Sequence, residues 1–380
     1  MTPLAPLPAS IPARGLIGHL LACVVGAGVD NIFKLGVATA LTTSAINETE
    51  SQSLSQWVTL LFTVPFLLVA PTAGTLGDRL PKHLIIRAAR VADVAVCAMG
   101  IAGIWLHSVP LMLITVGLLA TISAFFAPVK LAIVPELVGD ADLPTANAKL
   151  AGLTVLAILA GMGLAALAAH PERLAVVTTI LCIAGVVGAW MIPPLKAKNP
   201  TVKIAMPWSL VRQVRALGQA GENPTEANKS LWIPALSLAG FWALATVAAT
   251  QLVPLVTSNY RQVTFSWWLI GDFSLDGTDV ISGTAMALGL GLVAGSVLAV
   301  RLLSRAFPAG LPIFGALLAG LCLAGAGWHA NHGGGALGFA AWLFGAGVGA
   351  GWWEVPVTLM LQERAAPERR NLVMSGATIL

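Results

Sequence analysis

Charged residues are scarce in this chain: only 10% of its 380 residues are Asp, Glu, Lys or Arg, whereas 57% are hydrophobic. An ordinary soluble domain carries about 25% charged residues, so a soluble protein of this size would need a far more polar exterior. The mean hydropathy of +0.84 also excludes an intrinsically disordered chain, because disorder requires low hydrophobicity. The composition therefore indicates a polytopic membrane protein and excludes a soluble enzyme.

Cysteine is also scarce, and its spacing suggests neither a metal site nor a disulfide framework. Each of the four residues lies in a long apolar run: Cys23, Cys97, Cys182 and Cys322. Buried thiols explain this placement better. A P-loop and a nucleophile elbow are lacking, and the glycine-rich run 345–351 lies inside an apolar segment, which is typical of close helix packing. We therefore expect no enzymatic activity, no cofactor, no metal and no nucleic-acid partner.

A cleavable signal peptide is not expected, because thirteen Pro-rich residues precede the first basic residue, Arg14. Apolar stretches of about 20 residues, the length that crosses a bilayer, are by contrast abundant. Ten are predicted as spans: 15–42, 54–76, 84–106, 109–130, 147–169, 173–194, 231–256, 279–302, 309–328 and 336–360. An eleventh begins near Leu372 and stops at Leu380.

Basic residues lie almost entirely on one side of these spans. With the N-terminus on that side, it holds 18 of the 21 basic residues; the exceptions are Lys34, Arg173 and Arg261. The positive-inside rule then predicts a cytoplasmic N-terminus. The basic segment 195–230 becomes a cytoplasmic loop between an N-terminal half (1–194) and a C-terminal half (231–380). Around Trp208 to Leu217 this loop is either a membrane-surface helix or a plain tether.

A weak internal repeat relates the two halves. Ala127-Pro128-Val129 in span four resembles Val355-Pro356-Val357 in span ten, and in both an aromatic pair precedes the proline and an acidic residue follows it. We expect both prolines to interrupt their helices. Two parallel six-helix halves are the plan of a major facilitator transporter. The predicted fold is therefore all-α with twelve spans, of which this chain holds about 10.5, so we expect the complete protein to continue beyond Leu380.

The connection between spans two and three resembles a loop characteristic of that superfamily. It reads Gly74-Thr-Leu-Gly77-Asp78-Arg79-Leu-Pro-Lys82-His83, with Pro81 in place of the usual second glycine. Asp78 is expected to meet a helix N-terminus or a basic side chain of the other half and so to bias a gate. Arg87 and Arg90 are expected to hold the same gate closed, although an ordinary cytoplasmic collar of charge explains them equally well.

Charged groups inside spans are functional candidates, because each costs at least about 2.5 kcal/mol at bilayer depth. Span one carries Asp30, Asn31 and Lys34, and Asp30 can pair with Lys34 at the i, i+4 spacing. This cluster is either the wall of a cavity, binding an ionic headgroup or a coupling cation, or a neutralised pair that only holds neighbouring helices together.

The other candidates for the pathway are Lys130 at the end of span four, Glu136 six residues further on, Gln251 in span seven and Glu354 in span ten. Lys130 lies near a helix end, where its amine could instead reach the headgroup region as an anchor. Glu354 has no basic neighbour in sequence. It must be protonated, paired with another helix or exposed to a wet cavity, and the last makes it a candidate proton or cation site.

Several motifs together resemble those of bacterial lysophospholipid transporters, along the chain from residue 15 to residue 380. The matching segments are Asp30-Asn31-Ile-Phe-Lys34, Ala127-Pro128-Val-Lys130-Leu-Ala-Ile-Val-Pro135-Glu136-Leu137, Ala146-Asn147-Ala, Arg305-Ala-Phe-Pro308-Ala-Gly310 and Val355-Pro356-Val-Thr-Leu-Met-Leu-Gln362-Glu363-Arg364. The polar residues of the family carry over to Asp30, Asn31, Lys130 and Glu136. Glu354 departs from the pattern, since family members commonly have an apolar residue there.

The resemblance implies a flippase of the bacterial inner membrane. It would move lysophosphatidylethanolamine and related lysolipids to the inner leaflet, where a cytoplasmic acyltransferase/acyl-carrier-protein synthetase reacylates them. Asp30 would take the ammonium group and Lys34 or Lys130 the phosphate, and we expect a monomer. Two alternatives stay open: a proton-coupled exporter of amphipathic drugs, with Asp30 or Glu354 as its proton site, and a scaffold that only docks the acyltransferase.

Overall fold

A computed structural model describes residues 13–44, 48–139, 142–206, 209, 231–260, 262–267, 271–303 and 310–379. Eleven helices of ten or more residues occupy most of these ranges: α1 Ala13–Ser44, α2 Glu48–Arg79, α3 Lys82–Trp105, α4 Val109–Ala132, α5 Leu143–Leu164, α6 Pro171–Met191, α7 Trp232–Asn259, α8 Gly277–Leu303, α9 Leu311–Asn331, α10 Ala336–Arg364 and α11 Arg370–Ile379. A one-turn helix (Val134–Leu137) follows α4, and 3-10 turns lie at Ala165–Ala169 and Pro367–Arg369.

Each of the ten predicted spans coincides with one helix, and α11 begins close to the predicted eleventh span. Eight of the described helices are long and apolar enough to cross a membrane. The prediction of an all-α, multi-span membrane protein is confirmed. The segment 207–230 is undescribed except for Ser209, so the expected alternatives for Trp208 to Leu217 lie outside the described residues.

One feature between α7 and α8 was not predicted. Strands β1 (Gln262–Trp267) and β2 (Gly271–Asp276) form an antiparallel hairpin, in which Gln262 faces Asp276 and Trp267 faces Gly271. The two strands pair with each other and lie in the connection between α7 and α8. The hairpin therefore leaves the arrangement of the helices unchanged.

The predicted interruption of helices at the two prolines is wrong. Pro128 lies inside α4 and Pro356 inside α10, and both helices continue beyond them. Membrane helices tolerate internal proline because neighbouring helices and side chains can satisfy the freed backbone groups. The chain after Pro128 breaks later, at Ile133, where the one-turn helix begins.

Small residues bring the helices of the C-terminal part together. A Cβ on Gly347 of α10 would lie 2.1 Å from the carbonyl oxygen of Leu288 on α8, and one on Gly349 would lie 2.5 Å from the backbone nitrogen of Ala319 on α9. The glycine-rich run therefore packs α10 against two helices at once, as expected for close helix contacts in membranes.

Helix ends carrying most of the described basic residues gather at one end of the bundle, which we call the basic end. It comprises the C-termini of α2, α4, α6 and α10 and the N-termini of α3, α5 and α11. Side-chain contacts hold it together: Arg87 Nη2 donates to the Ile192 carbonyl at 3.0 Å, and Leu195 N–H donates to His83 Nδ1 at 3.0 Å. Burial and the nearby charge of Arg87 lower the pKa of His83, which suits its role as a neutral acceptor.

Candidate functional site

The polar residues of α1 do not pair with each other as expected. Asp30 accepts a short hydrogen bond from the Ser123 hydroxyl on α4, and the Lys34 amine lies 4.6 Å from the centre of the Phe62 ring on α2. No salt bridge within 4 Å joins Asp30 to Lys34 among the described side chains. Both turn to neighbouring helices instead, so α1 contributes a carboxylate and an ammonium to two separate contacts.

Asn31 makes a local contact rather than one across the bundle. Its side-chain amide donates to the Ala27 carbonyl one turn earlier at 2.8 Å. Its Cβ lies 3.1 Å from the position that a Cβ on Gly161 of α5 would occupy. Asn31 therefore stands at the crossing of α1 and α5.

A second charged group lies in the electrostatic surroundings of Asp30. Arg90 on α3 is 1% exposed; its Nη1 lies 3.0 Å from Asp93 Oδ2 and donates to the Ala22 carbonyl at 3.1 Å. Its guanidinium also lies 4.9 Å from the centre of the Phe126 ring. Both charges of this pair act on Asp30. Sequence reasoning identified neither the Arg90–Asp93 pair nor Ser123 as a partner of Asp30.

The expected gating roles of Arg87 and Arg90 through Asp78 or the opposite half are wrong. Arg87 binds the carbonyls of Ala189 and Ile192 at the end of α6 and lies over Trp190. Arg90 is buried among α1, α3 and α4. Both contacts lie within the N-terminal part because α3 packs against α6 and α1.

Glu136 and Lys82 form a buried salt bridge with a 2.6 Å Nζ–Oε1 distance. Their side chains are 7% and 1% exposed. Each charge is neutralised by the other, so the geometry gives Glu136 a structural contact at the basic end. The pathway role expected for Glu136 has no counterpart in this arrangement, and the same contact holds Lys82 of the loop motif.

Lys130 and Glu354 interact electrostatically across the two parts of the chain. Lys130 lies near the end of α4, Glu354 lies in α10, and Lys130 is the charged group that acts on Glu354. The Lys130 carbonyl contacts His19 Nε2 of α1 at 2.9 Å. Gln251 belongs to α7, but its side chain lies outside the described residues.

Asp78 lies at the N-terminus of α11. Its Oδ1 accepts from the Asn371 backbone N–H at 3.1 Å and from the Asn371 side chain at 2.8 Å, while its Oδ2 accepts from Leu372 N–H at 3.2 Å. A carboxylate is favoured here because the first N–H groups of a helix have no partner within it. Gly77 makes the approach feasible, since a Cβ there would lie 2.7 Å from the Asn371 side chain.

Most of the motif predicted as a loop around Asp78 is helical. Helix α2 includes Gly74 and Gly77 and ends at the exposed Arg79, so only Leu80 and Pro81 separate it from α3. The motif is thus the last turn of a helix, aimed at α11, and not an open loop.

A buried amide pair closes the same end and was not proposed as a site from sequence. Gln362 of α10 is fully buried and donates to Asn147 of α5 at 3.1 Å and to the Leu131 carbonyl at 2.9 Å. Nearby, the Ser375 hydroxyl of α11 donates to the Ala70 carbonyl of α2. Both amides occurred in the family-like segments, which was the one signal for them. Polar contacts of α2, α4 and α5 with α10 and α11 thus join the N- and C-terminal parts at the basic end.

A comparison with family models identifies a match to the Major Facilitator Superfamily over residues 19–380. Among solved structures, the human organic anion transporter MFSD10 (TETRAN) has a TM-score of 0.73 at 14% identity, over 97% of this chain and 89% of that chain. A bacterial homologue of the iron transporter ferroportin in an outward-facing state has a TM-score of 0.67 at 15% identity, over 97% and 89%.

The E. coli fucose:proton symporter FucP gives a TM-score of 0.62 at 15% identity, over 97% of this chain and 88% of that chain. At such identities these likenesses show the fold alone. No curated protein matches the sequence significantly.

Proposed function

Because the chain belongs to the Major Facilitator Superfamily, we propose that it is a transporter whose substrate is a lysophospholipid. It moves lysophosphatidylethanolamine and related lysolipids from the outer to the inner leaflet of a bacterial inner membrane. The basic end faces the cytoplasm, as the distribution of basic residues predicts, together with the N-terminus. The chain acts as a monomer and supplies a cytoplasmic acyltransferase/acyl-carrier-protein synthetase, which reacylates the lipid.

The observation that carries this proposal is that some cations of the helical bundle form salt bridges and others do not. Lys82 and Arg90 are neutralised by Glu136 and Asp93. Lys34 and Lys130 have no carboxylate within salt-bridge distance in the described part of the chain. A half-buried ammonium that forms no salt bridge is suited to bind a substrate anion. The phosphate of a lysolipid supplies that charge.

The surroundings of these lysines suit the remainder of a single-chain lipid. Lys34 lies against Phe62, and Lys130 follows the aromatic pair Phe125-Phe126 in α4. The Asp30 carboxylate, shared with Ser123, supplies the negative group that an ethanolamine head requires. Charged and aromatic groups thus lie near one another on α1, α2 and α4, as binding of a zwitterionic head and an acyl tail requires.

Alternating access requires a closure that can open, and the basic end supplies it. Asp78 at the N-terminus of α11 and the Asn147–Gln362 pair act as the inner gate, shut in this conformation. These hydrogen bonds lie beside a buried apolar cluster in which Ala132 of α4 meets residues of α10 and α11. A packed closure of this kind can alternate between two discrete arrangements.

A proton-coupled exporter of amphipathic drugs is the second candidate. It is favoured by Glu354, a half-buried carboxylate that forms no ion pair within 4 Å in the described part of the chain. Such a group in a membrane helix can exchange a proton as its surroundings change. Drug export would then collapse with the proton gradient, whereas lysolipid movement need not.

The test measures conversion of externally added labelled lysophosphatidylethanolamine to diacyl lipid, in cells that lack their own lysolipid transporter. Lys34→Ala and Lys130→Ala are compared with Lys149→Ala, which removes an exposed lysine of α5. We expect each of the first two to slow conversion by about tenfold or more, since a hydrogen bond to a charged group contributes about 1.5–3 kcal/mol. The Lys149 variant should match the parent.

Two outcomes would overturn the proposal. Full conversion by both the Lys34→Ala and the Lys130→Ala variant would exclude these lysines as the binding site of the phosphate. Absence of gene-dependent conversion, with normal membrane insertion and an active acyltransferase, would favour the exporter.

A further inference from the structure

The segment that follows α6 is fixed to the last two turns of α2 and to the first turn of α3. Residues 195–206, which we call the strap, run without helix or strand and contain Pro200. Four hydrogen bonds hold the strap: Leu195 N–H to His83 Nδ1 (3.0 Å), Asn199 N–H to the Asp78 carbonyl (2.9 Å), Ala205 N–H to the Thr75 hydroxyl (2.9 Å) and the Thr72 hydroxyl to the Ala205 carbonyl (2.9 Å). Its backbone is therefore docked along the last two turns of α2.

The side of the strap away from α2 is basic and apolar. Lys196, Lys198 and Lys203 are exposed, as are Ile204 at 40% and Met206 at 51%. No acidic residue occurs between 195 and 206. Lysines beside exposed aliphatic side chains are the composition of a membrane-surface segment, in which cations meet headgroups and apolar groups enter the acyl boundary.

The height of the strap places it at that boundary. Thr72, which binds Ala205, precedes the α2 terminus at Arg79 by seven residues, or about 10 Å along the helix axis. The strap thus runs back from the end of the bundle towards the apolar part of α2. Lys203, Ile204 and Met206 come at the level where headgroups give way to hydrocarbon.

The strap also touches the inner gate. Asn199 is bound to the backbone of Asp78, the residue whose side chain holds the N-terminus of α11. Thr75, one turn earlier on α2, binds the strap through its hydroxyl. Any ligand that favours the docked strap therefore stabilises the last turns of α2 in the position that reaches α11.

We propose that the strap is a binding surface for anionic phospholipid headgroups of the leaflet at the basic end, and that bound lipid favours the closed inner gate. The surface potential of anionic lipids attracts each nearby lysine, and a ligand shifts a conformational equilibrium by its preference for one state. The proposal rests on the orientation and gate described above, but not on the identity of the transported substrate.

The experiment follows the distance between α2 and α11 in the full chain reconstituted in lipid nanodiscs. Spin labels are placed on Leu80→Cys and Glu368→Cys, two exposed positions on either side of the gate. The four native cysteines are buried and are replaced by alanine. Double electron–electron resonance then gives the closed and open fractions in phosphatidylcholine alone and in phosphatidylcholine with phosphatidylglycerol.

We expect phosphatidylglycerol to raise the closed-to-open ratio by about fivefold, and high salt to weaken the effect. Lys198→Gln/Lys203→Gln should abolish this dependence. The matched control, Arg14→Gln/Lys149→Gln, removes two exposed cations off the strap and should retain it. A ratio that is equal in both lipids, or a lipid dependence that survives in Lys198→Gln/Lys203→Gln, would overturn the proposal; loss of transport alone would not bear on it.

Discussion

At the scale of single residues, the groups within a few ångströms of a buried cation determine whether its charge is neutralised and its side chain accommodated. Arg90 fits because Gly26 of α1 has no side chain: a Cβ there would lie 2.2 Å from Arg90 Nη1. Asp93 neutralises one edge of the guanidinium, whereas Nε and Nη2 have no hydrogen-bond partner among the described atoms. The arginine is thus held by one carboxylate, one carbonyl and an aromatic ring. Loss of any one of these contacts should therefore destabilise its position.

The Gly26 site predicts a sharp difference between two helical glycines. Gly26→Ala should displace the Arg90 guanidinium and lower the free energy of unfolding by about 1–3 kcal/mol. Gly163→Ala in α5, where nothing lies within 4 Å of the added Cβ, should be neutral or stabilising by up to about 1 kcal/mol. Thermal unfolding of the purified protein in detergent measures both. Equal melting temperatures for the two variants would contradict the prediction.

The Arg90–Asp93 pair predicts non-additive effects of substitution. Asp93→Ala should destabilise the fold by about 3–5 kcal/mol, because it leaves a buried cation without its counter-ion. Arg90→Met/Asp93→Ala should cost clearly less, since the uncompensated charge is gone. The same unfolding assay provides the cycle. If the loss of stability in the double variant equals the sum of the losses in Arg90→Met and Asp93→Ala, the two side chains do not stabilise each other.

At the scale of elements, the N-terminus of α11 is the point where one helix recognises another. Three N–H groups of Asn371 and Leu372 meet the Asp78 carboxylate, and Gly77 gives α2 the room to approach. The interaction combines hydrogen bonds with the favourable placement of an anion at a helix N-terminus. Its strength therefore depends on the charge of Asp78 and not merely on its shape.

Replacing Asp78 by asparagine should shift the gate towards its open form. A loss of about 1–2 kcal/mol at a helix N-terminus corresponds to a change of about tenfold in the closed-to-open ratio. The rate at which a membrane-impermeant maleimide modifies Ala377→Cys of α11, which is 2% exposed at the parent alanine, reports this opening. Asp78→Glu, which keeps the charge, should react more slowly than Asp78→Asn; the reverse order would exclude the electrostatic explanation.

At the scale of the whole molecule, the two parts of the chain meet at the basic end through a few polar contacts set among buried apolar side chains. Asn147 and Gln362 lie 215 residues apart and are almost completely buried. A reciprocal amide pair of this kind is satisfied only when α5 and α10 adopt one relative position. It therefore selects the closed arrangement and must be broken whenever the basic end opens.

Fixing this pair should stop transport reversibly. Asn147→Cys/Gln362→Cys, joined by a short bifunctional thiol reagent with a cleavable disulfide, is expected to lose lysolipid conversion and to regain it on reduction. Either single cysteine variant treated in the same way provides the control. Undiminished transport by the joined protein would show that the basic end does not need to open.

The number and approximate limits of the helices could be predicted from the sequence alone, because hydropathy is a property of consecutive residues. The same holds for close packing by the glycine-rich run of α10. The orientation that the basic residues predict stays a prediction. Partner choice was decided only by the tertiary structure: Lys82 selects Glu136, Lys34 selects Phe62, and Asn147 selects Gln362. Each pairing depends on the rotation and relative position of helices that are far apart in sequence. A helix that is apolar on all sides has no periodic pattern that specifies this rotation. Both prolines remained within helices for the same reason, since it is the surrounding bundle that satisfies the backbone groups a proline leaves free.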